Sequence, residues 1–163
     1  MSNKKALIIE DNKEIGEIYR LTIGVMGYDC EQITNGRVAL ERLDAEIPDL
    51  IILDMNLPEV SGHYLYKKIR ASPNYNRVPV IISTANMLVA RTIQEEMSPQ
   101  DHLIVKPVHP RALTNLIETI NQPEIATTEV SQTTETAEKS DATSVSGVKS
   151  SDEVATPSED KTE

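Results

Sequence analysis

Leu50-Ile51-Ile52-Leu53 is an unbroken apolar run that ends on a carboxylate, Asp54, and a turn, Met55-Asn56-Leu57-Pro58. Four apolar residues in a row leave no face for water, so the run suits a strand covered on both sides. Ala6-Leu7-Ile8-Ile9 has the same form and ends on Glu10-Asp11. Val78 to Ser83 runs to Thr84, with Pro79 near its start, where a missing donor is tolerated. His102 to Val105 is a shorter strand that ends on Lys106. Tyr28 to Ile33 alternates polar and apolar residues, as an edge strand does.

Helical periodicity fills the gaps between these strands. Asn12 is placed to cap a helix in which Ile15, Ile18, Tyr19, Thr22, Val25 and Met26 recur at helical spacing until Gly27. Asn35-Gly36 makes a turn before a short helix with Val38, Ala39, Leu40 and Leu43, stopped ahead of Pro48. A third helix spans His63 to Arg70 with Leu65 and Ile69 inward, and ends near Ser72-Pro73. Met87 to Met97 is the fourth, with Leu88, Ile93 and Met97 apolar. Pro110 opens the last helix, which aligns Leu113, Leu116, Ile117 and Ile120. Strand and helix alternate five times. The expected fold is a doubly wound α/β domain: a five-stranded parallel sheet with helices on both faces. Its ligand site belongs at the carboxyl ends of the strands.

Glu10-Asp11, Asp54, Thr84 and Lys106 all fall at those ends. Carboxylates gathered in one pocket repel, so such a pocket favours a cation. Mg²⁺, a hard ion that takes oxygen ligands, suits Glu10, Asp11, Asp54 and the backbone carbonyl of Asn56. Asp54 is then a candidate carboxylate nucleophile that forms an aspartyl phosphate. Lys106 would balance charge on the transferring group, and the Thr84 hydroxyl would hydrogen-bond a phosphoryl oxygen.

Composition narrows the functions available. The chain of 163 residues carries a formal charge of −10, which disfavours direct nucleic-acid binding. It has no apolar run long enough for a membrane span and no secretory leader after Met1-Ser2-Asn3-Lys4-Lys5. Cys30 is the only cysteine, so no internal disulfide forms, and the chain reads as cytoplasmic. His63, His102 and His109 lack metal-ligand spacing and read as surface or structural residues. Lys67, Lys68 and Arg70 read as a solvated helix face. Residues 123–163 hold ten acidic and three basic residues, no Leu and no aromatic. They cannot bury enough apolar surface to offset the entropy of ordering, so a disordered acidic Ser/Thr-rich tail is expected after a domain at 1–122.

Taken together, Glu10-Asp11, Asp54-Met55-Asn56-Leu57-Pro58 with Gly62, Ser83-Thr84-Ala85 and Lys106-Pro107 resemble the receiver domain of two-component response regulators, over roughly residues 4 to 121. The resemblance implies the flavodoxin-like strand order 2-1-3-4-5 and a cis bond before Pro107. It implies Asp54 as phosphoacceptor, Asp11 and Asp54 as direct Mg²⁺ ligands, and Glu10 assisting, often through water. Thr84 and Lys106 would sense and hold the phosphoryl group. The donor would be a phosphohistidine on a sensor histidine kinase or a phosphotransfer protein. Output would pass to a downstream protein partner through the fourth helix, fifth strand and fifth helix. The chain departs from the family at Leu103, three residues before the lysine, where Tyr or Phe is usual. That departure favours an alternative, a receiver-fold binding module that works without phosphorylation; the intact acidic pocket opposes it. A third reading is a phosphatase that uses an aspartyl phosphate. Such enzymes need a second aspartate two residues past the nucleophile, and Asn56 stands there. A receiver catalyses at most its own phosphorylation and dephosphorylation.

Overall fold

The computed structural model describes residues 3–122, and the expected tail at 123–163 lies outside them. Five strands and five helices alternate: β1 Lys4–Ile9, α1 Lys13–Gly24, β2 Tyr28–Ile33, α2 Gly36–Ala45 and β3 Leu50–Asp54, then α3 Gly62–Ala71, β4 Val80–Thr84, α4 Met87–Glu96, β5 His102–Val105 and α5 Pro110–Asn121. One short 3-10 turn, Pro73–Tyr75, precedes β4. The sheet order is β2-β1-β3-β4-β5 and every pairing is parallel. This is the doubly wound arrangement that the alternation of patterns predicts.

The central strands β3 and β4 are buried along their whole length, as unbroken apolar runs require. Side chains alternate between two cores. Ile8, Ile52 and Ile81 point to one face, where Tyr19 and Ile23 of α1 and Leu113 and Ile117 of α5 cover them. Ile9, Leu53 and Ile82 point to the other, against α2, α3 and α4.

Asn residues cap three helices. Asn12, Asn35 and Asn86 each accept two backbone N–H bonds in the first turn of α1, α2 and α4. Gly27, at φ 89°, supplies the left-handed residue between α1 and β2.

Several side chains depart from the periodic reading. α1 stops at Gly24, so Val25 lies past the helix and is 87% exposed, while Ile23 takes the buried place. Ile18 is exposed as well. Leu88, at the start of α4, is 73% exposed, and Ala90 and Ile93 carry the buried face. β4 begins at Val80 rather than Val78; the Pro79 carbonyl still accepts from Ile51 N–H at 3.1 Å. Arg70 is not on a solvated face. Its guanidinium pairs with the buried carboxylate of Asp101, 31 residues away, and donates to the Tyr75 and Val78 carbonyls at 2.8 Å each.

Candidate functional site

Alternation along the strands sets which polar side chains can meet. Glu10, Asp54, Ser83 and Lys106 each come two residues after an apolar residue of the α1/α5 core: Ile8, Ile52, Ile81 and Ile104. They therefore continue that face past its apolar part, at the carboxyl edge of the sheet. Backbone bonds carry the ladder out to them. Glu10 N–H donates to Ile33 O at 3.0 Å, Met55 N–H to Ser83 O at 3.1 Å, and Lys106 N–H to Thr84 O at 2.9 Å.

Carboxylate oxygens of Glu10, Asp11 and Asp54 come within 4.8 Å of one another. Glu10 and Asp54 are buried, at 1% and 3% exposure, and Asp11 is open to solvent. Lys106 Nζ reaches between the two buried acids, 2.9 Å from Asp54 Oδ2 and 2.9 Å from Glu10 Oε1. It also lies 2.8 Å from Glu10 Oε2. Only the Oε1 contact has hydrogen-bond geometry, so Oε2 is a charge contact and a buried oxygen without a hydrogen-bond donor. Asp54 Oδ1 accepts from the Asn56 N–H at 3.1 Å, which folds the turn after β3 back onto the carboxylate.

Burial pushes the Glu10 carboxyl above its usual value; the Lys106 bond pulls against this and the Asp54 charge adds to it. Burial also disfavours the charge on Lys106, but hydrogen bonds to Glu10 and Asp54 and their charges outweigh it, and its net displacement is upward. One ammonium thus bridges two buried carboxylates, with the exposed Asp11 as a third beside them. These oxygens suit a small hard cation in donor type and spacing, and the free Glu10 Oε2 is where an added positive centre would be compensated.

Thr84 is buried at the end of β4, next to the residue in register with Asp54. Its hydroxyl accepts from Asn86 N–H at 3.1 Å and makes no hydrogen bond to the carboxylates among the described residues. Gly62 lies against the site from the loop side. A Cβ there would stand 1.9 Å from the Asp54 carbonyl oxygen and 2.6 Å from Met55 Cα, so only glycine lets α3 start so close to the end of β3. Leu103 is half-buried and packs against the α2–α4 core. The Lys106–Pro107 bond is cis, as the resemblance implied.

Sequence reasoning did not single out the pair Tyr19 and Ser83. The two hydroxyls meet at 2.8 Å, fully buried, on the same face as Glu10 and Asp54. A phenol at a helical core position gives no local signal of its partner 64 residues away.

An acidic group at the carboxyl edge of a 2-1-3-4-5 parallel sheet, bridged by a lysine ahead of a cis-proline, is the architecture of a receiver. The chain matches the response regulator receiver domain over residues 6–118 and belongs to that family. It is 31% identical to chemotaxis protein CheY1 of Helicobacter pylori over 118 residues, 71% of this chain and 95% of that protein. It is 32% identical to the phosphate regulon transcriptional regulatory protein PhoB of Rhizobium meliloti over 103 residues. That match takes in 63% of this chain but only 45% of the regulator's length. Among solved structures, the Francisella response regulator 1452 receiver domain superposes with a TM-score of 0.63 at 27% identity, covering 72% of this chain and 96% of that one. No helix among the described residues is long and apolar enough to cross a membrane.

Proposed function

We propose that this chain is a response regulator whose receiver, residues 1–122, is phosphorylated on Asp54 by a histidine kinase or phosphotransfer protein. It signals by phosphorylation-dependent binding of a downstream protein. The observation that carries this reading is the charge imbalance: three carboxylates within 4.8 Å of one another, two of them bridged by a single ammonium. A purely structural cluster would be closer to balance.

In the transfer, an Asp54 oxygen attacks the phosphorus of a phosphohistidine, and the phosphorus–nitrogen bond breaks with the imidazole as leaving group. Each Asp54 oxygen holds one hydrogen bond, to Asn56 N–H or to Lys106, and keeps a further lone pair for phosphorus or metal. Glu10, Asp11, Asp54 and the Asn56 carbonyl would hold Mg²⁺, which supplies charge neutralisation for the incoming phosphoryl oxygens. Lys106 exchanges its bond to Asp54 for one to a phosphoryl oxygen. The Thr84 hydroxyl, an acceptor from Asn86, retains its own proton to donate to the phosphoryl group. The product shifts a two-state equilibrium at the α4–β5–α5 surface. Exposed Met87 and Leu88 on α4 and Val105 on β5 support that surface as the docking face. Leu103 would move there without the usual aromatic, so output rests on α4 more than on a rotating ring. We place the protein in the cytoplasm on the same reading.

Incubation with Mg²⁺ and acetyl phosphate, followed by intact-mass measurement, is expected to add one phosphate to the wild type and none to Asp54→Asn. No labelling of the wild type at any Mg²⁺ concentration overturns the proposal in favour of a phosphorylation-independent binding module.

A further inference from the structure

Ser83 stands in register with Asp54 on one side and Ile104 on the other, one step along the face that carries Glu10 and Lys106. Its hydroxyl is buried and bonded at 2.8 Å to the hydroxyl of Tyr19, which reaches it from α1. The reach follows from helix geometry. β1 ends at the carboxyl edge of the sheet, so α1 starts there and runs back down. Side chains on a helix lean toward its N-terminus, so a long side chain seven residues past the Asn12 cap points back up at the carboxylate group. The phenol is held neutral: burial pushes it above its usual value, and the charges of Glu10 and Asp54 add to that push.

Packing alone does not call for this pair. Phe and Ala would fill nearly the same space without two hydroxyls to desolvate, and buried hydroxyls cost free energy that one shared hydrogen bond only offsets. What the bond adds is direction. Glu10 is tied to the sheet through Ile33 O, and Asp11-Asn12 leads straight into α1, so the position of α1 sets where Asp11 lies. Ser83 belongs to β4, which is hydrogen-bonded to the strand that carries Asp54. The Tyr19–Ser83 bond therefore spans the two halves of the carboxylate group.

We infer that Tyr19 and Ser83 act as a positioning pair that fixes the spacing of Asp11 from Asp54, and so sets the affinity of the carboxylate group for a divalent cation. The inference rests on the reading of that group as the Mg²⁺ site.

Calorimetric titration of the full chain with Mg²⁺ tests it, with a thermal melt of each variant alongside. Tyr19→Phe and Ser83→Ala are each expected to weaken Mg²⁺ binding roughly three- to tenfold, at the lower end of what residues coupled through one contact show. The double variant is expected to lose no more than either single one, because the same bond is removed each time. Asp54→Asn is the control. If it binds Mg²⁺ as the wild type does, the carboxylate group is not the cation site and the underlying reading falls. If Asp54→Asn loses affinity while Tyr19→Phe and Ser83→Ala keep the wild-type dissociation constant, the pair only packs and the inference is overturned. A lowered melting temperature with unchanged Mg²⁺ affinity counts the same way. Should Tyr19→Phe fail to fold, Ser83→Ala, which removes a single hydroxyl, decides alone.

Discussion

Two buried ionic clusters stand at opposite edges of the same sheet, and they are built on opposite principles. At the amino edge, Asp101 lies just before β5. It accepts from Tyr66 Oη at 2.7 Å, Arg70 Nε at 2.8 Å, Val80 N–H at 3.1 Å and Ser98 N–H at 3.2 Å, with a further bond from Arg70 Nη2. One carboxylate meets one guanidinium, and both of its oxygens are used. At the carboxyl edge, one ammonium bridges two buried carboxylates, a third lies open to solvent beside them, and Glu10 Oε2 has no hydrogen-bond donor. The first cluster closes on itself; it pins α3 to the start of β4 and to the α4–β5 loop. The second leaves negative charge in excess, the feature on which the proposed cation site rests. Balance suits a site that only holds the fold, and imbalance suits the proposed cation site.

The sharpest way to break this contrast is to remove Asp101. Asp101→Ala leaves the Arg70 charge without its counter-ion in the interior, and takes the acceptor from Arg70 Nε and from Val80 N–H. Breaking a buried pair from one side costs about 3–5 kcal/mol, which denaturant unfolding would detect as a large fall in midpoint. A loss below about 1 kcal/mol would mean the cluster is wetter and weaker than its hydrogen bonds indicate. Gly62→Ala comes next. Its Cβ would meet backbone rather than a flexible side chain, so α3 or the end of β3 must shift. A cost of about 1–3 kcal/mol is expected, with the proposed phosphorylation at Asp54 slowed because the displaced atoms are its own backbone. An unchanged melt would show that the loop yields freely.

Asp54→Asn should do the reverse of Asp101→Ala. Taking one of two buried like charges relieves repulsion, while the amide oxygen still accepts from Asn56 N–H. The metal-free variant is expected to melt no lower than the wild type, since Lys106 keeps its bond to Glu10. Added Mg²⁺ should then stabilise the wild type and not the variant, since only a ligand that binds the folded state raises its stability. Destabilisation of the metal-free Asp54→Asn protein would contradict the imbalance itself.

The two clusters were unequally legible in the sequence. Each residue of the carboxyl-edge group follows an apolar run, and parallel topology brings every such strand end to one place. Local pattern plus one topological rule therefore located Glu10, Asp11, Asp54 and Lys106 together. Nothing comparable marks the amino edge. Asp101 sits in a loop, and Arg70 follows Lys67 and Lys68 on a helix, so periodicity alone assigns it to solvent. Its partner is set by how α3 docks on the sheet, which is tertiary information. The Tyr19–Ser83 bond was hidden for the same reason. Val25 misled differently: the 3.6-residue spacing continued past Gly24 after the helix had ended. The cis Lys106–Pro107 bond was reachable only through the family resemblance, because cis is the minority state of such bonds.

A third, weaker ionic contact offers the finest test, because it is exposed and lies between the other two in character. His63 Nε2 meets Glu96 Oε2 at 2.9 Å and Lys67 Nζ lies 3.5 Å from the same oxygen, linking α3 to the end of α4. The His63 hydrogen bond, helped by the Lys67 charge, holds the Glu96 carboxyl below its usual range. A carboxyl lowered in the folded state stabilises the fold above its unfolded value of 4.5, and that contribution fades as pH falls through the lowered value. Glu96→Gln should therefore melt with the wild type in strong acid and slightly below it from about pH 5 upward. Solvent screens the pair, so the gap should be small and should close further in high salt. A gap that persists in acid, or widens there, would show that the effect of Glu96 does not come from its charge. Because α4 carries the exposed Met87 and Leu88, the same variant should loosen the helix on which the proposed output surface rests. Amide exchange along α4 in Glu96→Gln, faster than in the wild type at neutral pH and equal to it in acid, would tie that looseness to the charge.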